Sequence, residues 1–259
     1  MTLSDSSNIF LCCINVLFGF PTNSYIIWLI VTGTKSSIIS KFFHLNLSVC
    51  EIGNCLNSLF VILLLLSSSL APLSNFFQGL GITGRPLFQC LISVERYIAV
   101  VHPVTFLKYK SLRYRCMFST CAWITCLASC CWCIFIFSVL NGIFTLFFLV
   151  QFLVFLSIQL FSLMAVLRAL KKPGPGERGK GREEENHMKR RAFYLILITT
   201  FNMVILYVPF IVSGFVFIFT NLTSFGFWFS SVFCYVLAGF VQPVLFLQRA
   251  GKLSCFCSA

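Results

Sequence analysis

Acidic side chains are scarce in this chain, with 7 Asp plus Glu among 259 residues against 19 Lys plus Arg, and charged residues total only 10%. An ordinary soluble domain carries about 25%. Disorder needs low hydrophobicity and high charge; 58% of these residues are hydrophobic and Phe alone contributes 32, which excludes it over nearly the whole length. Four stretches, 6–34, 52–84, 116–167 and 192–248, contain no Asp, Glu, Lys, Arg or His at all. The 14 Cys have no His or carboxylate beside them at metal-ligand spacing, so neither a zinc site nor any other cofactor is expected. There is no fixed-period repeat and no inverted pair of broken segments, which speaks against a secondary transporter.

What is present is membrane-length apolar sequence. One spanning helix needs about 20 apolar residues, so the first stretch holds one span. The third breaks at Asn141-Gly142 and the fourth between Asn221 and Gly226, both turn-forming, and each reads as a hairpin of two spans. Extending the apolar reading through Glu51 and Arg85 makes residues 42–100 a further hairpin, turning at Ser67–Asn75 with Pro72 inside the turn. The expected fold is therefore an all-α membrane protein, one domain over 1–259. Its seven transmembrane helices fall at about 9–32, 42–66, 74–100, 115–138, 143–169, 191–219 and 226–247. A flexible loop is expected over 171–190, with Pro-Gly-Pro-Gly at 173–176.

The formal charge of +12 would suggest nucleic acid in a soluble protein. Here the Lys and Arg collect at one set of span ends: Lys35 and Lys41, then Arg96 to Arg115, then Arg168 to Arg191, then Arg249 and Lys252. The hairpin tips have none. By the positive-inside rule these ends and the C-terminus are cytoplasmic, and the N-terminus, with only Asp5, is extracellular. The basic balance records topology, and no nucleic-acid partner is implied. The first apolar run has no basic n-region or small-residue cleavage site, so it is expected to be retained as a helix.

At the cytoplasmic end of the third span stands Glu95-Arg96-Tyr97, followed closely by His102-Pro103. Gly19-Phe20-Pro21-Thr22-Asn23 lies in the first span, Leu45-Asn46-Leu47 in the second and Trp123 in the fourth. Pro209 follows Tyr207 in the sixth, and Gln242-Pro243-Val244-Leu245-Phe246 closes the seventh. In these ordered landmarks the chain resembles the rhodopsin-like (class A) G-protein-coupled receptors, and Tyr207 with the first-span Gly-Pro pattern resembles their purine, lipid and protease-activated branch. The resemblance implies a plasma-membrane receptor, not an enzyme, with a heterotrimeric G protein as partner. It implies that Glu95 holds Arg96 at rest, that Arg96 and Tyr97 serve coupling, and that Val104, after Pro103, packs on the Gα subunit. Asn23, Tyr207, Pro209, Gln242 and Pro243 become internal switch positions, with Pro209 the pivot of the sixth helix.

The departures are as informative. The family's usual second-span sodium-binding Asp is replaced by Glu51, and Arg85 stands in the third span where a small polar residue is usual. Glu51, Asn54 and Ser58 form one helical stripe, and Arg85, Gln89 and Arg96 a similar one. A lone charge at the bilayer centre costs at least about 2.5–3.5 kcal/mol, so the two are expected to pair, the guanidinium taking the place of sodium. The family's outer disulfide is not expected, because Ala71 occupies its third-span position. Most Cys, among them Cys50, Cys121, Cys126, Cys130 and Cys131, read as small helix-interface residues. Gln248 to Leu253 resembles the short amphipathic eighth helix, with Cys255 and Cys257 beyond it suited to palmitoylation and Asn221 in an outer glycosylation sequon.

The outer half lacks the charged groups with which amines, nucleotides and small carboxylates are held. Tyr25, Arg85, Asn202, Tyr207 and Tyr235 therefore outline a pocket for an unknown, lipophilic ligand, with Arg85 its deep anionic anchor, and membrane lipids are the remaining partner. Two alternatives stand beside the receptor reading: a transporter or channel using Glu51 and Arg85, and a signalling-impaired receptor-like protein acting in heteromers.

Overall fold

In the first helical rod Leu3–Ile14 (α1) passes into Phe20–Val31 (α2) through a π turn at Asn15–Gly19. Pro21 supplies the reason: without an N–H, and with its ring against the carbonyl four residues back, it widens the turn before it. In this computed structural model the described residues are 3–34, 38–39, 41–64, 67–109, 111–136, 141–171, 180–220 and 225–249. The next helices are Phe42–Leu63 (α3), Ala71–Val101 (α4), Pro103–Tyr109 (α5), Leu112–Ile136 (α6), Asn141–Lys171 (α7), Lys180–Thr220 (α8) and Phe225–Arg249 (α9).

Among the described residues, six segments are long and apolar enough to cross a membrane: Ser6–Val31, Phe42–Leu63, Leu112–Phe135, Leu149–Lys171, Lys189–Thr220 and Phe229–Gln248. The chain is a helical, multi-pass membrane bundle. The 31-residue α4 is long enough but too polar for that set, because Arg85, Glu95 and Arg96 lie on it. Its polarity matches its place, since α4 packs against α3, α6, α7 and α8 and is buried continuously from Gly79 to Pro86. A central helix meets side chains instead of lipid, so its polar groups find partners.

Several boundaries differ from the sequence reading. Pro72 sits in the first turn of α4, where its missing N–H would have had no helical partner, and a short 3-10 turn at Ser68–Leu70 precedes it. Asn141-Gly142 opens α7 instead of forming a loop. The expected loop 171–190 is helical from Lys180 onward, because Glu, Lys, Arg and Met are good helix formers and Glu185 stands four residues before Lys189. The segment 172–179, the sequon at Asn221 and residues 250–259, which include Cys255, Cys257 and most of the expected eighth helix, lie outside the described residues.

Two apolar clusters flank α4. Phe43, Leu47, Cys50, Leu80, Phe88, Ile92, Cys126 and Cys130 join α3, α4 and α6. Cys90, Phe152, Phe155, Met203, Leu206 and Tyr207 join α4, α7 and α8. Cys50, Cys126 and Cys130 are interface residues as expected, whereas Cys121 and Cys131 point outward from the opposite face of α6. Leu17, Phe18, Phe161 and Phe201 are also exposed, as side chains facing acyl chains would be.

Trp123 on α6 crosses to α3, its Nε1 donating to Asn46 Oδ1 at 2.8 Å, with its ring 5.6 Å from that of Phe88. Trp123→Phe keeps the packing and deletes the bond, and is expected to lower stability by about 1 kcal/mol. A thermal melt in detergent checks this, and an unchanged midpoint would remove the bond from the list of stabilising contacts.

Candidate functional site

Glu51 on α3 and Arg85 on α4 meet as a forked pair, Arg85 Nε donating to Oε1 at 2.6 Å and Nη2 to Oε2 at 2.7 Å. The side chains are 4% and 1% exposed. The third guanidinium nitrogen, Nη1, donates to the main-chain carbonyl of Tyr235 on α9 at 3.0 Å, and the guanidinium lies 4.6 Å from the centre of that residue's ring. Asn54 Nδ2 donates to Glu51 Oε2 at 3.1 Å, and the Tyr235 hydroxyl closes the circuit on Asn54 Oδ1 at 2.6 Å. Ser58 donates to the Asn54 carbonyl and receives Asn15 Nδ2 from the π turn, so the network reaches the first rod.

A buried pair is tolerable only when charge and remaining hydrogen-bonding capacity are both satisfied. Both carboxylate oxygens and all three guanidinium nitrogens have partners here. Room for them is made by glycines: a Cβ on Gly81 would fall 1.8 Å from Asn54 Oδ1 and 2.2 Å from the Tyr235 hydroxyl, and one on Gly239 would fall 3.0 Å from Arg85 Nη2. A sodium ion does not fit this site, because the oxygens that would hold it already face a cationic donor.

Pro86, directly after Arg85, has no N–H for the carbonyl of Ile82 one turn earlier. The hydroxyl of Tyr207 on α8 takes that carbonyl at 2.7 Å. A proline in the centre of the bundle thereby creates the acceptor on which the next helix docks. Towards the basic end, Ser93 donates to Gln159 Oε1 at 2.8 Å and Asn202 Nδ2 to the Ala238 carbonyl at 3.2 Å, while neither polar atom of the fully buried Gln89 has a partner among the described residues.

The remaining candidate residues are distributed unevenly. Asn23 donates to the Gly19 carbonyl at 2.9 Å and, with Glu51, His44, Gln242 and Pro243, lines a cavity of about 10 Å³, room for one water. Pro209 is half-buried in α8. Tyr25 packs with the α2–α9 cluster of Ile26, Ile30 and Phe246 and stacks on Trp28, apart from Tyr207, Tyr235 and Asn202. The expected five-residue pocket is therefore split, and Arg85 is spent on Glu51 and Tyr235 instead of being held ready as a ligand anchor.

Glu95 is not joined to Arg96. Its carboxylate accepts from Arg115 Nη2 on α6 at 2.5 Å, and Arg115 Nη1 donates to the Ile39 carbonyl. Arg115 is 3% exposed, lies over the Phe43 ring and faces Glu95 across the helix contact, whereas the side chain of Arg96 leaves α4 about 100° round from that of Glu95. Arg96 instead lines a second small cavity with Ser93, Thr199 and Gln242, its Nε buried with no partner among the described residues. Tyr97 contacts His102 Nε2 at 3.2 Å, Pro103 opens α5 and Val104 is 82% exposed.

Membrane-length helices packed around a buried ion pair define a polytopic helical membrane protein. Residues 22–142 match the 7 transmembrane receptor (rhodopsin family) model, and over that segment the chain is similar to this family. The mouse (Mus musculus) protein Chemokine XC receptor 1 is 24% identical over 124 residues, which is 46% of this chain. The match spans 38% of that relative's length.

Breaking one partner of a buried pair leaves an uncompensated charge, so Glu51→Gln or Arg85→Gln is expected to cost about 3–5 kcal/mol. Surface expression and melting temperature should fall in both, and in either single charge reversal, while the double reversal Glu51→Arg with Arg85→Glu regains part of each. A double variant as poor as the singles would show that the residues do not act as a pair. Tyr207→Phe orphans the Ile82 carbonyl and is expected to cost about 1–3 kcal/mol, read as a lowered melting temperature; an unchanged value would mean that carbonyl needs no partner.

Proposed function

We propose that this protein is a G-protein-coupled receptor that binds a ligand from outside and promotes nucleotide exchange on a G protein inside. In this reading α4 is the seventh spanning helix, the basic ends are cytoplasmic, the N-terminus is extracellular and the location is the plasma membrane. The single observation carrying it is the state of Arg96. It stands at the basic end of the central helix, free of Glu95, beside a cavity shared with α8 and α9, while Val104 and Leu107 project from α5 next to it.

A ligand shifts such an equilibrium only by binding one bundle arrangement better than another. With Arg85 engaged and no other Lys or Arg in the outer half, the reading favours an uncharged, lipophilic ligand in the apolar surroundings of Tyr207 and Phe152. The chemokine in the relative's name belongs to that relative. The transporter alternative gains nothing from the ion pair, in which each carboxylate oxygen and each guanidinium nitrogen has a protein partner.

Arg96→Ala should leave surface expression within about twofold, since it removes a buried nitrogen that has no partner among the described residues, while abolishing any signal across a panel of Gα sensors. Wild type indistinguishable from mock-transfected cells across basal and ligand-screened conditions, or an Arg96→Ala variant that signals equally, would overturn the proposal.

A further inference from the structure

A groove of about 90 Å³ lies beside the Glu95–Arg115 pair, between α3, α4, α5 and α6. Its walls are Phe43, Val94, Phe106, Tyr109 and Phe118, with Arg115 at the closed side. Phe118 and Tyr109 are exposed, so the groove opens on the outer, lipid-facing surface and not towards the bundle axis. Arg115 is committed to Glu95 and the Ile39 carbonyl and therefore shapes this end without offering a free charge. Two further basic residues stand close to it along the chain. Lys108 and Arg113 are exposed, one residue before the lining Tyr109 and two before the lining Arg115, and there is no acidic residue between Glu95 and Glu177.

We propose that this groove holds a segment of an acyl chain of an anionic phospholipid, the rest of the chain lying along the lipid-facing surface, with the head group reached by Lys108 and Arg113. The size favours a flexible chain over a fused-ring body, since an engineered cavity of about 150 Å³ accommodates a single benzene ring. The charge favours an anionic head group. By the positive-inside rule this end faces the cytoplasmic leaflet, which is the anionic one. The inference rests on the orientation proposed above and is independent of G-protein coupling. An occupied groove would brace α5 against α3 and α6, the segment that carries Val104, and would place lipid composition among the influences on that surface.

The purified full-length chain in detergent is titrated with phosphatidylserine, with phosphatidylcholine of the same acyl chains and with cholesterol, and bound lipids are counted by native mass spectrometry. Wild type should retain phosphatidylserine over phosphatidylcholine. Each of Lys108→Gln and Arg113→Gln should lower that preference about fivefold, the equivalent of roughly 1 kcal/mol per basic residue near an anionic surface. Val94→Trp, which fills the groove, should remove one bound phospholipid of either kind. Equal retention of the two phospholipids by wild type, a preference untouched by both charge variants, or a Val94→Trp protein that loses cholesterol and keeps its phospholipid would each overturn the proposal. If Val94→Trp does not fold, Phe118→Trp serves instead: its added fluorescence should be quenched by phosphatidylserine brominated in the acyl chain, and absence of quenching refutes the assignment.

Discussion

An arginine and a glutamate buried together inside a membrane bundle constrain everything packed around them. Neither charge can remain where it is without the other, so α3 and α4 are fixed in register, and the spare nitrogen of Arg85 fixes α9 through a main-chain carbonyl. The glycines at 81 and 239 follow from this, because a methyl group at either place would stand in the network. Here the cation is covalently part of the chain, so the charge balance of the bundle centre does not depend on the ions outside.

The bundle centre and the basic end are organised on different terms. Around Arg85 nearly every polar atom has a partner, whereas Gln89, Gln242 and Arg96 each retain a buried nitrogen without one among the described residues. Unsatisfied buried groups carry a cost that another arrangement of the same helices can relieve. The satisfied part of the molecule is thus where α3, α4 and α9 meet at Arg85, and the unsatisfied groups gather nearer the basic end, around the cavity that Arg96 and Gln242 share with Thr199 of α8. Engagement of Glu95 by Arg115 adds to that asymmetry by attaching the acidic residue to α6 and leaving Arg96 to the cavity side.

Much of the architecture was legible because lipid imposes a severe compositional filter. Uncharged stretches of membrane length, and basic residues confined to alternate ends, located the apolar spans and their common end without any contact information. The pairing of Glu51 with Arg85 was also readable, since intramembrane charges have few alternatives to each other. Less visible was the start of α8, where an apparent linker is made of good helix formers, and the partner of Glu95, which depends on how close α6 approaches and not on any local spacing. Pro86 was in plain view beside Arg85, yet its consequence, an acceptor for Tyr207, needs a helix from elsewhere in the chain to be seen.

By itself, then, the sequence determined that this is a helical membrane protein, which ends carry its positive charge, and that its interior holds one acid and one base needing each other. Those are one-dimensional facts, set by composition and period against the low polarity of the bilayer. Only the tertiary structure decided which hydrogen-bonding groups are spent and which remain: Arg85 is withdrawn from any ligand, Tyr25 is separated from the other tyrosines, and Glu95 is given to Arg115. The reason is that a hydrogen bond between helices depends on distances of a few tenths of an ångström between residues far apart in the chain, and no pattern along the chain encodes them.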